Sequence, residues 1–304
     1  VNTAVKTMKA NEVEALKRAC AEKDLQTLER VLSQQPALIN EIELNEGGTL
    51  LNLTCTDGWA EGVKFLFDNY FDIINVNHKD LVGGTPLIQA THSGHRDCIM
   101  LLLSHPTIDV NIQDKDGFTA LSVAVSGGKV DCVRLLLSHF NIDINIKDKN
   151  GFTALSRAVT GGKVECVRLL LSHPNIDVNA RTKNGFTALY QAVTAGKVDC
   201  VRLLLSHPNI GVNSEQGEWF DKTVLWYCKD RACYELLISH FQTMSENDKI
   251  MAWIWSLYYH ENGNVEDVKE VLQKFELSQL SQRVESLNSM VWIAANRGDA
   301  KMIE

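Results

Sequence analysis

The chain runs to 304 residues, with 45% hydrophobic and 22% charged side chains and a formal net charge of −8, a composition ordinary for a folded chain. Its longest apolar stretch near the C-terminal end, Ile250 to Tyr259 broken by Ser256, falls well short of the ~20 residues a membrane span requires, so no membrane insertion is expected. The acidic balance, without a continuous basic stripe, argues against nucleic-acid binding.

In chain order, Lys6 and Lys9 precede any apolar run and no signal-peptide hydrophobic region follows, so secretion is not supported. The chain begins without Met and stops at Glu304 inside an expected helix, which suggests a piece of a longer protein. Val13–Leu32 and Gly47–Asp80 (GGTLLNLTC, then VKFLF) are faint versions of a unit written plainly further on. That unit has 34 residues and opens four times, at Gly83, Gly117, Gly151 and Gly185. The copies Gly117–Asn150 and Gly151–Asn184 agree at 26 of 34 positions. A fixed period of this size signals a solenoid, in which each unit buries its apolar face against the next. Function then resides in a long surface.

The third copy spells out the unit. Thr153 is suited to cap a helix over Ala154–Thr160, because its hydroxyl can accept from an unpaired first-turn amide. Gly161 and Gly162 end that helix. A second helix over Val164–Ser172 places Val164, Val167, Leu170 and Leu171 on one apolar stripe with Cys166 beside it, and turns Glu165 and Arg168 to water. His173-Pro174 stops it, since the residue before proline leaves the helical region. The polar NIDVNARTKNG follows, and its Asn184-Gly185 is a strong hairpin signal. Beyond Glu218 the pattern degenerates. Thr223–His240 keeps both helices without the glycine turn, Ile250–Phe275 keeps the outline, and Ser289–Glu304 starts another unit.

Four of the eight cysteines, Cys98, Cys132, Cys166 and Cys200, share one repeat column inside the apolar second helix. Equivalent atoms of successive units lie about 10 Å apart, beyond the ~7 Å Cα separation a disulfide tolerates. Buried free thiols in such number fit a reducing compartment, so a cytoplasmic or nuclear location is expected.

Possible catalytic and metal chemistry is weak. His105, His139, His173, His207 and His240 form a one-per-unit column that cannot converge on one ion, and they read as helix-end histidines. GGKV at Gly127–Val130 and Gly161–Val164 lacks the flanking residues of a phosphate loop and reads as a repeat turn. Cys228 and Cys233 have no second pair at metal spacing and read as core cysteines. The chain is therefore expected to be no enzyme and to need no cofactor or metal. Trp253, Trp255, Tyr258 and Tyr259 form either a docking ridge or the packing of a divergent unit.

The order helix, turn, helix, hairpin, with GGTPL or GFTAL opening each unit and IDVN, IDIN, IDVN and IGVN ending at Asn111, Asn145, Asn179 and Asn213, resembles the ankyrin repeat. The family's frequent histidine after TPL is here Ile88, Ser122, Ser156 or Tyr190, and the unit is 34 residues long instead of 33. The resemblance implies an all-α solenoid of about nine units, the last one truncated, with fingers and first helices on a concave side. Its parts are an N-terminal capping unit at 1–46, a divergent unit at 47–82, four near-consensus units at 83–218 and degenerate units at 219–304.

It also implies a protein-interaction module, a monomeric array of the scaffold or adaptor kind, and places Phe118, Phe152 and Phe186 on the fingers. There they make an apolar ladder or pack between fingers. Lys147, Lys149, Arg157, Arg181, Lys183 and Tyr190 surround them. Residues 83–218 carry 13 basic and 12 acidic side chains, so the net negative charge lies in the flanks. That suits a protein or peptide partner with acidic and apolar residues. The alternative is a targeting or regulatory arm of a larger enzyme, channel, ubiquitin-ligase adaptor or effector. By similarity to ankyrin asparagines that are hydroxylated in animals, Asn111, Asn145 and Asn179 are candidate modification sites.

Overall fold

The computed structural model describes residues 2–41, 47–211, 224, 228 and 230–241, in two compact units, Val1–Gly211 and Val212–Glu304. Among the described residues there are helices and turns but no strands. In the first unit α1 (Asn2–Glu22) and α2 (Leu25–Gln34) form an antiparallel pair, followed by the short α3 (Leu38–Glu41). Five further pairs follow: α4 (Leu50–Thr56) with α5 (Ala60–Tyr70), α6 (Pro86–Ser93) with α7 (Arg96–Leu103), and α8 (Ala120–Ser126) with α9 (Val130–Leu137). The last two are α10 (Ala154–Thr160) with α11 (Val164–Leu171), and α12 (Ala188–Thr194) with α13 (Val198–Leu205). First helices stack on first helices and second on second. In the second unit, α14 (Arg231–Phe241) begins with Asp230 accepting the Cys233 amide at 2.9 Å. The expected units at Ile250–Phe275 and Ser289–Glu304 lie outside the described residues.

Threonine starts each first helix of the four near-identical units. Thr85, Thr119, Thr153 and Thr187 are extended, and their hydroxyls accept the amides of Ile88, Ser122, Ser156 and Tyr190 at 3.2–3.3 Å. Where the family has histidine, Ser122 supplies part of a replacement network by accepting the Thr119 amide (2.9 Å). Asn52 does more: it accepts the Thr49 amide (3.1 Å) and donates to the Gly84 carbonyl of the next unit (3.3 Å). Gly162, at φ 63°, makes the left-handed step between α10 and α11. In these turns a lysine reaches back one unit: a β-carbon added at Gly94 would lie 3.4 Å from Nζ of Lys129. The ammonium thereby sits at the C-terminal end of α6, where a cation is favoured.

The second helices differ slightly from expectation. In α11 the buried residues are Cys166, Val167 and Leu170, while Val164 and Leu171, at the helix ends, are only half-buried, and Ser172 caps the helix. The same trio recurs as Cys132, Val133 and Leu136 and as Cys200, Val201 and Leu204, each at most 3% exposed. Every such Val or Leu contributes about 1.5–3 kcal/mol by leaving water.

An asparagine ladder joins the units on their loop side. Asn77, Asn111 and Asn145 each donate to a carbonyl of the next unit (Thr107, Asn141, Asn175) at 2.7 Å and accept the amide of Asp109, Asp143 or Asp177 at 2.8–2.9 Å. Asn179 repeats the clamp on Asn209 and Gly211.

Candidate functional site

The fingers are short hairpins between units. In one, Asp148 N donates to the Phe152 carbonyl (2.9 Å) and Gly151 N to the Asp148 carbonyl (2.9 Å). Gly151 has φ 81°, and a β-carbon there would come within 2.5 Å of the Lys183 amide, so only glycine fits between adjacent fingertips. Neighbouring tips are hydrogen-bonded in series: Lys115 N to Val82 O (3.0 Å), Lys149 N to Asp116 O (3.1 Å) and Lys183 N to Asn150 O (3.1 Å). The spacing of the row of fingers is thus fixed by backbone bonds between neighbouring tips.

Phe118, Phe152 and Phe186 are all half-buried, and the structure gives them two different neighbours. The Arg157 guanidinium lies 4.2 Å from the Phe118 ring centroid and 5.2 Å from that of Phe152, filling the space between them. Phe186 instead stacks flat on Tyr190 of its own unit, with centroids 4.4 Å apart and planes 5° from parallel. The column is therefore not one uniform ladder of phenylalanine rings. It alternates aromatic with cation, then aromatic with aromatic.

Arg157 is bound from below as well. Its Nε donates to Asp148 Oδ2 at 2.7 Å, and its Nη2 makes a second, very short bond to the same oxygen. The Asp148 side chain is 1% exposed, and its Oδ1 accepts the amides of Asn150 (2.8 Å) and Phe152 (3.0 Å). Finger, aromatic column and first helix α10 are locked together through this one carboxylate. The sibling units vary the pair: Gln89 Nε2 donates to Asp80 Oδ2 at 2.7 Å, whereas the equivalent positions hold Asp114 and Val123 in one unit and Thr182 and Gln191 in the last. Sequence reading missed Asp148 because only the folded hairpin carries it to Arg157, though the change from Val123 to Arg157 in near-identical copies was a visible signal.

Of the remaining expected residues, Lys147, Lys149 and Lys183 are exposed at the fingertips, and Arg181 and Tyr190 are half-buried. Trp253, Trp255, Tyr258 and Tyr259 lie outside the described residues. Asn111, Asn145 and Asn179 have both ends of their carboxamides engaged in the ladder.

The histidine column ends the second helices: the amides of Asn141, Asn175 and Asn209 donate to Nδ1 of His139, His173 and His207 at 3.3 Å. That contact places the proton of each neutral ring on Nε2. His105, buried, packs 4.4 Å from the Phe71 ring. Cys228 is half-buried and donates to the Asp230 carbonyl (3.2 Å), and Cys233 is buried. All eight cysteines are free. Burial holds the thiols of Cys132, Cys166 and Cys200 above their usual range, and pushes those of Cys20 and Cys233 up to about 12 and Cys228 to about 11. Such thiols are poor nucleophiles at neutral pH. No described helix is long and apolar enough to cross a membrane.

One feature outside the fingers was also missed. Phe140, where the sibling copies have Pro106, Pro174 and Pro208, is 87% exposed and stacks on His139 with centroids 4.8 Å apart.

A family profile described as "Ankyrin repeats (3 copies)" matches residues 16–114, 106–182 and 141–216. Among curated proteins, the chain is similar to the "Ankyrin repeat and KH domain-containing protein mask" of Drosophila melanogaster, 34% identical over 93 residues. That match covers 30% of this chain and 2% of the length of that protein. Among solved structures, the ankyrin repeat domain of Bcl-3, "a unique member of the IkappaB protein family", superimposes with a TM-score of 0.65 at 28% identity, over 73% of this chain and 96% of that one. EF0377, an ankyrin repeat protein, superimposes with a TM-score of 0.58 at 27% identity, over 64% of this chain and 98% of that one.

Proposed function

The chain belongs to the ankyrin-repeat family, and from that premise we propose that it is a non-catalytic module that binds a partner protein or peptide on the concave, finger-bearing face of its solenoid. Ankyrin repeats are generally protein–protein interaction modules, and their fold is typically a binding scaffold. The observation that carries the choice of face is the preorganised finger row. Backbone bonds between tips set its spacing, the Arg157–Asp148 pair fixes the aromatic column, and Lys147, Lys149 and Lys183 stand exposed around it.

Phe118, Phe152 and the Phe186–Tyr190 stack supply aromatic area of the kind that dominates interface energetics. The lysines supply steering toward an acidic partner, because the Arg157 charge is already met by Asp148. The eight free thiols support a reducing compartment, the cytosol or nucleus. A second reading, an array serving as the recognition arm of a larger protein, is favoured by the Drosophila relative, whose ankyrin repeats share a chain with a KH domain.

The test is affinity capture from lysate with wild type and with Tyr190→Ala combined with Phe186→Ala, both first shown to be folded by circular dichroism. Proteins retained by wild type and lost from the variant support the finger face; an unchanged set would remove it.

A further inference from the structure

The fingertip row is not uniform along the solenoid. Its first described tip carries Leu81 and Val82, 65% and 55% exposed. The same two positions become Lys115-Asp116 in the second tip, Lys149-Asn150 in the third and Lys183-Asn184 in the fourth. On the second tip the two formal charges sum to zero. On the third and fourth an uncharged asparagine replaces the aspartate, and the lysines stand exposed, as does Lys147 two residues before Lys149. No carboxylate among the described residues lies within ion-pair distance of Lys147, Lys149 or Lys183. At these two tip positions the row therefore runs apolar, neutral, basic, basic, in one direction, while Lys79 before the first tip donates its Nζ to the Gln113 carbonyl at 2.9 Å.

We propose that this row reads an extended peptide segment of a partner protein, with two adjacent apolar side chains on the Leu81–Val82 tip and carboxylates opposite Lys149 and Lys183. The inference rests on the finger face being the binding face and adds the partner's chemistry and register. Each finger contributes two chain segments at roughly 4.8 Å spacing, so successive tips are about 10 Å apart. An extended peptide rises about 3.3 Å per residue and advances one tip every three residues. Lys149 and Lys183 lie two and three tips beyond Leu81, so the carboxylates belong about six and about nine residues from the apolar pair. The residue three beyond the apolar pair, opposite the Lys115-Asp116 tip of zero net charge, is polar and uncharged. The apolar end supplies buried area and the basic end supplies orientation, because a peptide laid the wrong way puts carboxylates on leucine and valine.

The probe is a fluorescein-labelled 14-residue Gly/Ser peptide with Leu-Ile at positions 2 and 3 and Glu at 9 and 12. It is titrated into the intact chain by anisotropy, beside its reversed sequence and a same-composition peptide with Glu at 5 and 6. The expected result is that the patterned peptide, in one of its two directions, binds at least tenfold tighter than the same-composition control. Lys149→Glu with Lys183→Glu then weakens it at least tenfold, as does Leu81→Ser with Val82→Ser, while Arg134→Glu on the second-helix side leaves it unchanged. Equal binding of patterned and control peptides, insensitivity to the fingertip variants, or no binding of any peptide at 1 mM overturns the register. Capture of partners sensitive to Phe186 and Tyr190 would survive each of those results, so the failure of this inference is distinguishable from the failure of the binding-face reading.

Discussion

Arg157 and Asp148 stand nine residues apart, on opposite sides of a hairpin, and the guanidinium fork of one closes on the buried carboxylate of the other while lying against Phe118 and Phe152. Arg157→Ala would leave that carboxylate buried without its cation. Removing one partner of a buried pair costs about 3–5 kcal/mol, and the lower end applies here because Arg157 keeps 25% exposure. Arg157→Gln retains a donor, as Gln89 does toward Asp80, and should cost clearly less. Replacing both residues by their counterparts in the next unit, Asp148→Thr with Arg157→Gln, should recover most of the loss. Urea unfolding of wild type, Asp148→Thr, Arg157→Gln and the double variant closes a double-mutant cycle, with Arg157→Ala measured beside it; additive losses would contradict it.

The asparagine ladder predicts a graded loss at Asn145. Asn145→Asp keeps the acceptor for Asp177 N and loses the donor to Asn175 O, so it should cost about 1 kcal/mol. Asn145→Ala loses both bonds and should cost about 2 kcal/mol. Equal losses in thermal or urea unfolding would show that the inter-unit bonds are not what Asn145 contributes.

Much of this architecture was open to sequence reading. The period, the Thr153 cap and the bounds Ala154–Thr160 all follow from local rules, because each unit's contacts are mostly with itself and its neighbour. What escaped were contacts made by the hairpin. Arg157 was expected as a charge offered to a partner, yet its fork is taken by Asp148. The three phenylalanines looked equivalent in sequence, but an arginine at 157 and a tyrosine at 190 give them different surroundings. The asparagines' role between units was equally hidden, since their partners lie 30–32 residues further on. Leu81-Val82 was visible as a departure from Lys-Asp and Lys-Asn, but its exposure was not.

Buried thiols set an alkaline limit on stability. Cys20 is fully buried and its thiol is pushed up to about 12, first by desolvation and then by Asp57. The unfolded thiol ionises near ~8.5. Below that pH both states hold the proton and stability is complete; above it the unfolded chain releases the proton first, and stability falls as pH rises toward the folded value. The slope is about 1.4 kcal/mol per pH unit for each such thiol. Urea unfolding at pH 8 and pH 10 should show a smaller alkaline loss for Cys20→Ala than for wild type, by about 2 kcal/mol. Equal losses would exclude Cys20 as a contributor.

Phe140 stands where three sibling copies hold proline, and the Leu136 carbonyl is met by the amide of His139 rather than by its own. Phe140→Pro should therefore raise stability by about 0.4–1 kcal/mol through the unfolded chain's lost freedom. A fall in the urea midpoint would mean that the Phe140–His139 stack outweighs this gain.

The proposed binding face is tested most directly by site-specific photocrosslinking in lysate, with a benzophenone side chain placed in turn at Lys149 on a fingertip and at Arg168 on the exposed side of α11. Discrete crosslinked partners from position 149 and none from position 168 is the predicted result. The same partners from position 168 alone would place binding on the second helices and contradict the account.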